Sequence, residues 1–483
     1  MAYKTAIEIR DAVASGEATA VEVVTETLAR IKDRDEKIGA FLETFDEEAL
    51  EAAKRIDEMK AAGESLPRLA GVPVAVKDNM LVKGHIASAC SGILAEHVAA
   101  YDATVVTRLR EAGAVIIGRT NMDDAAMGSS TETSYWQKTK NPWDVTRVPG
   151  GSSGGPAAAV ASGMVPLSLG SDTGGSVRQP ASLCGVVGMK PTYGKVSRYG
   201  LIAMASSLDQ IGPFATTVED ATLLLEVIEG ADPMDATSVD ADVMTHEGLV
   251  GASFEGLRVG VPKEYFIDGM DPAVEKAVRE AIDLMKENGA EIVDISIPLT
   301  EYALPAYYII QPAEASSNVA RYDGIRYGKR AEGLPLLDSY RKARGEGFGT
   351  EVKRRIMLGT YILSAGYYDA FYKKSLAVRS ALMDEMKSTF KDVDVIVGPT
   401  SPSVAWPLGE KFDDPIAMYL ADIFTCPANI TGNPGISVPC GMSDGLPIGL
   451  QFIGGHFKDA KILQAAAAYQ SLTDWHTKEP GTK

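Results

Sequence analysis

From Gly71 onward, short apolar, β-rich runs alternate with helical ones, and this alternation confines the chain to a small set of folds. Residues 72–76, 115–117 and 165–169 read as strands, with helices at 103–112 and 156–162 between or beside them. Segment 230–254 is acidic and weakly periodic, a surface excursion after which 257–262 resumes the sheet. A helix at about 275–289, a strand at 292–297, a long helical region at 304–391, late strands at 393–397 and 448–453 and a closing helix at 459–470 complete the pattern. Such a chain is expected to be an α/β protein with a mainly parallel or mixed sheet. Ahead of it, Thr5-Ala6-Ile7-Glu8 and Thr19-Ala20-Val21-Glu22 each match a capping box, Gly16 stops the first helix, and 47–62 reads as a third helix.

Two loops break the pattern with glycine and hydroxyl residues. One is Pro149-Gly150-Gly151-Ser152-Ser153-Gly154-Gly155; the other, after an apolar strand, is Gly170-Ser171-Asp172-Thr173-Gly174-Gly175-Ser176-Val177-Arg178. Glycine lets backbone amides converge on one point, and converging amides beside a serine suit an oxyanion hole and a nucleophile. The candidate nucleophiles are Ser152, Ser153, Ser171 and Ser176. Ser176 follows Gly174-Gly175 and precedes a helix, which sets its hydroxyl near the amides of Thr173, Gly174, Gly175 and Ser176 itself. The motif Gly150-Gly151-Ser152-Ser153-Gly154 also matches Gly-x-Ser-x-Gly, but no strand leads directly into it.

A serine nucleophile needs a base. The five histidines, His85, His97, His246, His456 and His476, are scattered, and none sits in a loop that resembles a base site. Lys77, by contrast, ends the apolar strand 72–76. A lysine serves as base when burial lowers its pKa by several units, which requires Asp78 to point away from it. Ser152 could then relay a proton between Ser176 and Lys77, because a hydroxyl donates and accepts at once.

Composition narrows the partners. The 483 residues carry a formal net charge of −18, a balance that repels a phosphate backbone and argues against gripping nucleic acid without a basic partner. Cys90, Cys184, Cys426 and Cys440 form no Cys-x-x-Cys pair, and no histidines pair at metal-ligand spacing, so no metal is expected. The start of the chain lacks an apolar signal region and no run is long enough to span a bilayer, so a cytoplasmic location without membrane contact is expected.

The order Lys77, Ser152, Ser176 with these flanks resembles the Ser–cisSer–Lys triad of the amidase signature family. Segments 69–79, 260–266, 313–324 and 353–360 resemble, within that family, the A subunits of the aspartyl/glutamyl-tRNA amidotransferases. The resemblance implies one amidase-signature domain over 1–483: an N-terminal helical segment, 1–65, and a catalytic core, 66–483, that includes the mainly helical 304–391. Its large mixed central sheet would be flanked by helices on both faces. Ser152 would follow a non-proline cis peptide. The implied activity is glutamine hydrolysis through an acyl-Ser176 intermediate. Ammonia would pass to a partner, the B subunit, which uses ATP and Mg to amidate misacylated tRNA. A small C subunit would complete a heterotrimer, and this chain itself would hold no cofactor. The resemblance maps the substrate carboxylate to Arg355, the substrate ammonium to Asp422, and pocket walls to Met127 and to Tyr307 or Tyr308. Where the family often has Asp-Glu-Phe-Ala-Met-Gly, this chain reads Asp123-Asp124-Ala125-Ala126-Met127-Gly128, which removes a packing aromatic. The competing readings are a free-standing amidase and a catalytically silent scaffold subunit.

Overall fold

The computed structural model describes residues 5–481. Among them, eleven strands share one sheet: β1 (Phe41–Thr44), β2 (Pro73–Lys77), β3 (Val115–Thr120), β4 (Leu167–Asp172), β5 (Val187–Lys190), β6 (Gln210–Ala215), β7 (Arg258–Pro262), β8 (Glu291–Ile295), β9 (Val395–Pro399), β10 (Gly435–Ser443) and β11 (Leu446–Gly454). Their order is β1-β3-β2-β4-β6-β5-β10-β11-β9-β7-β8. The sheet is mixed, as expected. β3, β2 and β4 run parallel at one end and β9, β7 and β8 at the other, with antiparallel pairs joining the two groups.

Helices cover both faces. On β11 a Cβ at Gly449 would meet Ser182, and one at Gly454 would meet Ile462. The two positions differ by an odd number, so they face opposite sides of the sheet, and helices Arg178–Cys184 and Asp459–Ser471 cover one side each. The run Ala465, Ala466, Ala467 and Ala468, buried all round its helix, lets neighbouring elements approach the backbone closely.

Both N-terminal capping boxes form, Thr5 with Glu8 and Thr19 with Glu22, and Gly16 ends the first helix at φ 88°. Four strands lie outside the sequence expectation: β1, β5, β6 and β10. β4 also starts later and runs further than expected, to Asp172, so Ser171 lies on a strand end rather than in the loop. The region 304–391 is interrupted: helices Ala303–Asn318, Leu336–Gly347, Thr350–Ile362 and Lys374–Thr389 flank an irregular stretch around 322–335 and a π-helical turn at Tyr368–Lys373.

Candidate active site

Register brings the lysine and the serines together. β2 and β4 are parallel neighbours with Val76 opposite Leu169, so Lys77 leaves β2 beside the end of β4. Crevices outside the carboxyl ends of parallel strands are the usual place for a site in an open α/β sheet. Lys77 is fully buried. Its Nζ donates to Ser152 Oγ at 2.8 Å, Ser153 Oγ at 2.7 Å, Ser171 Oγ at 2.8 Å and, at longer range, the Ser171 carbonyl at 3.3 Å. Among the described residues no carboxylate pairs with it. Burial pulls its pKa down to about 7, against the weaker upward pull of Asp123 and Asp172. Asp78 points away, as a basic lysine requires: it accepts from Arg119 Nη1 at 2.8 Å, from the Cys90 amide at 2.8 Å and from the Ser88 hydroxyl.

The three hydroxyls are not equivalent. Ser153 Oγ donates to the Ser171 carbonyl at 3.1 Å, and Asn79 Nδ2 donates to Ser171 Oγ at 2.9 Å. Among the described residues the hydrogen bond from Lys77 is the one Ser152 Oγ makes, so its own proton is uncommitted. The Gly151–Ser152 peptide is cis. Asp123 braces this loop, accepting from the Thr131 amide at 2.9 Å and the Thr133 hydroxyl at 2.9 Å while its own amide donates to the Ser152 carbonyl at 3.2 Å.

Ser176 sits just before helix Arg178–Cys184, 8% exposed where Ser152 is wholly buried. One helical turn on, Gln179 joins the two serine loops: its Oε1 accepts from the Gly151 amide at 3.0 Å and its Nε2 donates to the Ser129 carbonyl at 2.9 Å. Asp172 shapes the loop from beneath, accepting from the amides of Gly175 at 2.8 Å and Val177 at 3.2 Å and pairing with Arg178. Burial pushes Asp172 up, but the Arg178 charge and hydrogen bonds outweigh it and hold the carboxyl at about 2. The Gly175 amide is committed to Asp172, which leaves Thr173, Gly174 and Ser176 as the candidate donors. Gly175 has another role: φ is +136°, and a Cβ there would fall 2.2 Å from Thr425 Oγ1.

A second polar group adjoins these loops. Asp422, buried on the turn Leu420–Asp422, accepts from Ser129 Oγ at 2.8 Å and from the Tyr308 hydroxyl at 3.2 Å. Burial raises its pKa to about 7 despite those hydrogen bonds. Arg355, 3% exposed, lies over the rings of Tyr308 and Tyr419, 5.3 Å from each. Its Nε donates to Glu351 at 2.7 Å, and the Tyr419 hydroxyl donates to the same carboxylate oxygen at 2.7 Å. Burial pushes Glu351 up, but the charges of Arg355 and Arg354 and the hydrogen bonds from Arg355 and Tyr419 together outweigh it and hold the carboxyl below its usual pKa. Tyr307 and Tyr308 divide the work between them. Tyr307 lies against the Ser176 loop, where a Cβ at Gly174 would be 2.6 Å from its Cζ, and Tyr308 holds Asp422. Met127 is fully buried in a small apolar cluster with Met122, Phe348 and Val352.

Sequence reasoning did not single out Ser129, Gln311, Glu351 or Tyr419 as part of this site. Their signal is helical spacing: Tyr308 and Gln311 are three apart on helix Ala303–Asn318, and Glu351 and Arg355 four apart on Thr350–Ile362. Elsewhere, Glu226, His246 and Glu247 cluster at metal-ligand distances, but Arg10 and Arg68 lie against them and form an ion-pair group.

A family model described as Amidase matches residues 22–463. The chain belongs to the amidase family. The A subunit of the glutamyl-tRNA(Gln) amidotransferase of Chloroflexus aggregans is 54% identical over 99% of this chain and 98% of its own length, and that of Moorella thermoacetica 53% identical over 99% and 98%. The crystal structure of the same kind of protein from Thermotoga maritima is 42% identical, covers 96% of this chain and 95% of its own, and superposes with a TM-score of 0.80.

Proposed function

We propose that this chain is the glutamine-hydrolysing subunit of a tRNA-dependent amidotransferase, acting as one catalytic domain. The observation that carries the substrate is Tyr308, which bridges a buried acid and a buried guanidinium: its hydroxyl is 3.2 Å from Asp422 and its ring 5.3 Å from Arg355. One side chain thus spans an ammonium site and a carboxylate site, which an α-amino acid needs and a simple amide does not. The cage adjoins the chemistry through Tyr307 at Gly174 and through Gln179, which ties Ser129 to the Gly151 amide.

In this reading Ser176 Oγ attacks the side-chain carbonyl carbon of glutamine. Its proton passes to Ser152 as Ser152 gives its own to the Lys77 lone pair. Amides of Thr173, Gly174 and Ser176 hold the oxyanion; one such donor contributes roughly 2.7–4 kcal/mol to the transition state. As the intermediate collapses, the leaving NH2 group takes that proton back through Ser152 and departs as ammonia; water then attacks the acyl carbon, passing its proton through Ser152 to Lys77, and Ser176 recovers it as glutamate leaves. Bound glutamine brings an ammonium to Asp422 and so keeps that acid ionised. ATP and Mg belong to the chemistry of the partner B subunit on the tRNA-linked acid, and the small C subunit makes the assembly a heterotrimer. The −18 charge fits tRNA contacts made mainly by the partner.

Ser176→Ala tests the reading in the assembly the full chain forms. Glutamine hydrolysis should fall by about 10⁴-fold or more, while amidation of misacylated tRNA with added ammonium salt continues. Glutamine-dependent amidation surviving in that variant would remove Ser176 as nucleophile.

A further inference from the structure

We infer that Gln311 is a substrate-binding residue: its side-chain amide, fixed by Arg355, donates to the α-carboxylate of the amino-acid amide. This rests on the glutaminase reading above and extends its carboxylate site. Gln311 is wholly buried on helix Ala303–Asn318, one turn beyond Tyr307 and Tyr308. Arg355 Nη1 donates to Gln311 Oε1 at 3.0 Å. A guanidinium can only donate, so this contact sets which end of the amide is oxygen and turns both Nε2 hydrogens away from Arg355.

Those hydrogens have no acceptor among the described residues, where Gln311 Nε2 is a buried atom without a hydrogen-bond partner. A buried donor left in that state is costly, and it points to a missing acceptor. Arg355 is limited in a complementary way. Its Nε is taken by Glu351 and one Nη1 hydrogen by Gln311, so it meets a carboxylate end-on through its remaining Nη1 and Nη2 hydrogens. Glu351 also offsets much of its charge. A neutral donor beside a partly neutralised guanidinium completes the grip without adding a second cation. It also favours a carboxylate over a carboxamide at the α position.

The alternative is that Gln311 only positions Arg355, and Gln311→Glu separates the two. Glutamate keeps the oxygen that Arg355 uses and replaces the donor with an acceptor. In the assembled full-length enzyme, KM for glutamine should rise roughly 10- to 100-fold with kcat within about threefold, the loss expected for one hydrogen bond to a charged group. Hydrolysis of L-glutaminamide, which lacks the α-carboxylate, should stay within about threefold. Should Gln311→Glu fail to fold, Gln311→Met removes the donor without adding charge and should raise KM for glutamine about tenfold. An unchanged glutamine KM, or an equal loss on both amides, overturns this inference alone. A wild-type enzyme inert to glutamine overturns it together with the reading it rests on.

Discussion

Lys77 closes β2 and Lys190 closes β5; both are buried, and in both burial pulls the pKa to about 7. Their surroundings differ. Lys77 Nζ meets three serine hydroxyls, groups that return a proton as readily as they accept one. Lys190 Nζ meets one acceptor, the Pro191 carbonyl at 2.9 Å, and Arg178 adds a like charge that lowers it further. A carbonyl has no proton to give. Burial sets how tightly each amine holds its proton, and the neighbours decide whether that proton can travel. A shifted lysine is therefore a poor sign of a base unless a hydroxyl partner stands beside it.

The sharpest way to break this contrast is to remove each amine in turn. Lys77→Met, close in shape, should lower kcat for glutamine hydrolysis by about 10³-fold or more with circular dichroism unchanged. Lys190→Met should keep kcat within about threefold. Loss of activity in a folded Lys190→Met variant would show that the proton path includes the second lysine.

Between the two lysines lies the Asp172–Arg178 pair, whose charges act on Lys190 and, through Asp172, on Lys77. Both side chains are wholly buried, and Asp172 also accepts from Asn429 Nδ2 at 2.7 Å. Removing one member leaves the other charge buried and unmatched. Asp172→Asn should cost about 3–5 kcal/mol in urea unfolding. It should also loosen the Gly175 and Val177 amides and lower kcat. A loss below about 1 kcal/mol would mean that the loop holds its shape without the pair.

The two lysines also predict a pH dependence whose sign can be worked out. Each titrates near 7 when folded and near 10.5 when unfolded, so between these values the unfolded chain binds more protons. The two lysines should therefore make stability rise with pH from about 7, by at most about 1.4 kcal/mol per pH unit each, until about pH 9, above which the thiols of Cys90, Cys184, Cys426 and Cys440, held protonated by burial, act with the opposite sign. The acids that burial raises to about 7, Asp124, Asp220, Glu229 and Asp422, act with the opposite sign, and only below that pH. Lys190→Met should remove part of the alkaline slope. The acid limb of kcat/KM near pH 7 should persist in that variant, because it belongs to Lys77 and to Asp422, which must be ionised to take the substrate ammonium. A limb that vanishes with Lys190 would reverse the two assignments.

The chemistry was more legible in the sequence than the sheet. Lys77, Ser152 and Ser176 stood out because glycine and serine loops beside apolar runs are rare enough to carry meaning. The structure places Lys77 on Ser152 and ties the Ser176 loop to the same wall through Gln179. Ser153 and Ser171, two of the four candidate serines, are Lys77's other acceptors, a matter of register between β2 and β4 that no local pattern records. The same limit hid Gln311 and Glu351, which matter only because two distant helices pack together. β5 has four residues and β6 carries Gly212-Pro213 at its middle, so periodicity says little about either. β10 had a usable signal, the Asp444-Gly445 pair between two apolar runs.

That turn gives the mildest perturbation of the contrast. Ser443 pairs with Leu446 across it, and Asp444 and Gly445 have φ of +50° and +78°, both in the left-handed region that a two-residue hairpin of this hand requires. A Cβ on Gly445 would meet nothing within 4 Å, so Gly445→Ala acts through the backbone alone, at a cost of about 1 kcal/mol in thermal or urea unfolding. The hairpin leans on Lys190's strand, with Gly435 opposite Lys190, and has no pairing with β2. If the two lysines sit in independent surroundings, this substitution lowers stability and leaves kcat and its acid limb where they were. A shift in either would mean that the β5 half of the sheet reaches the serine loops mechanically.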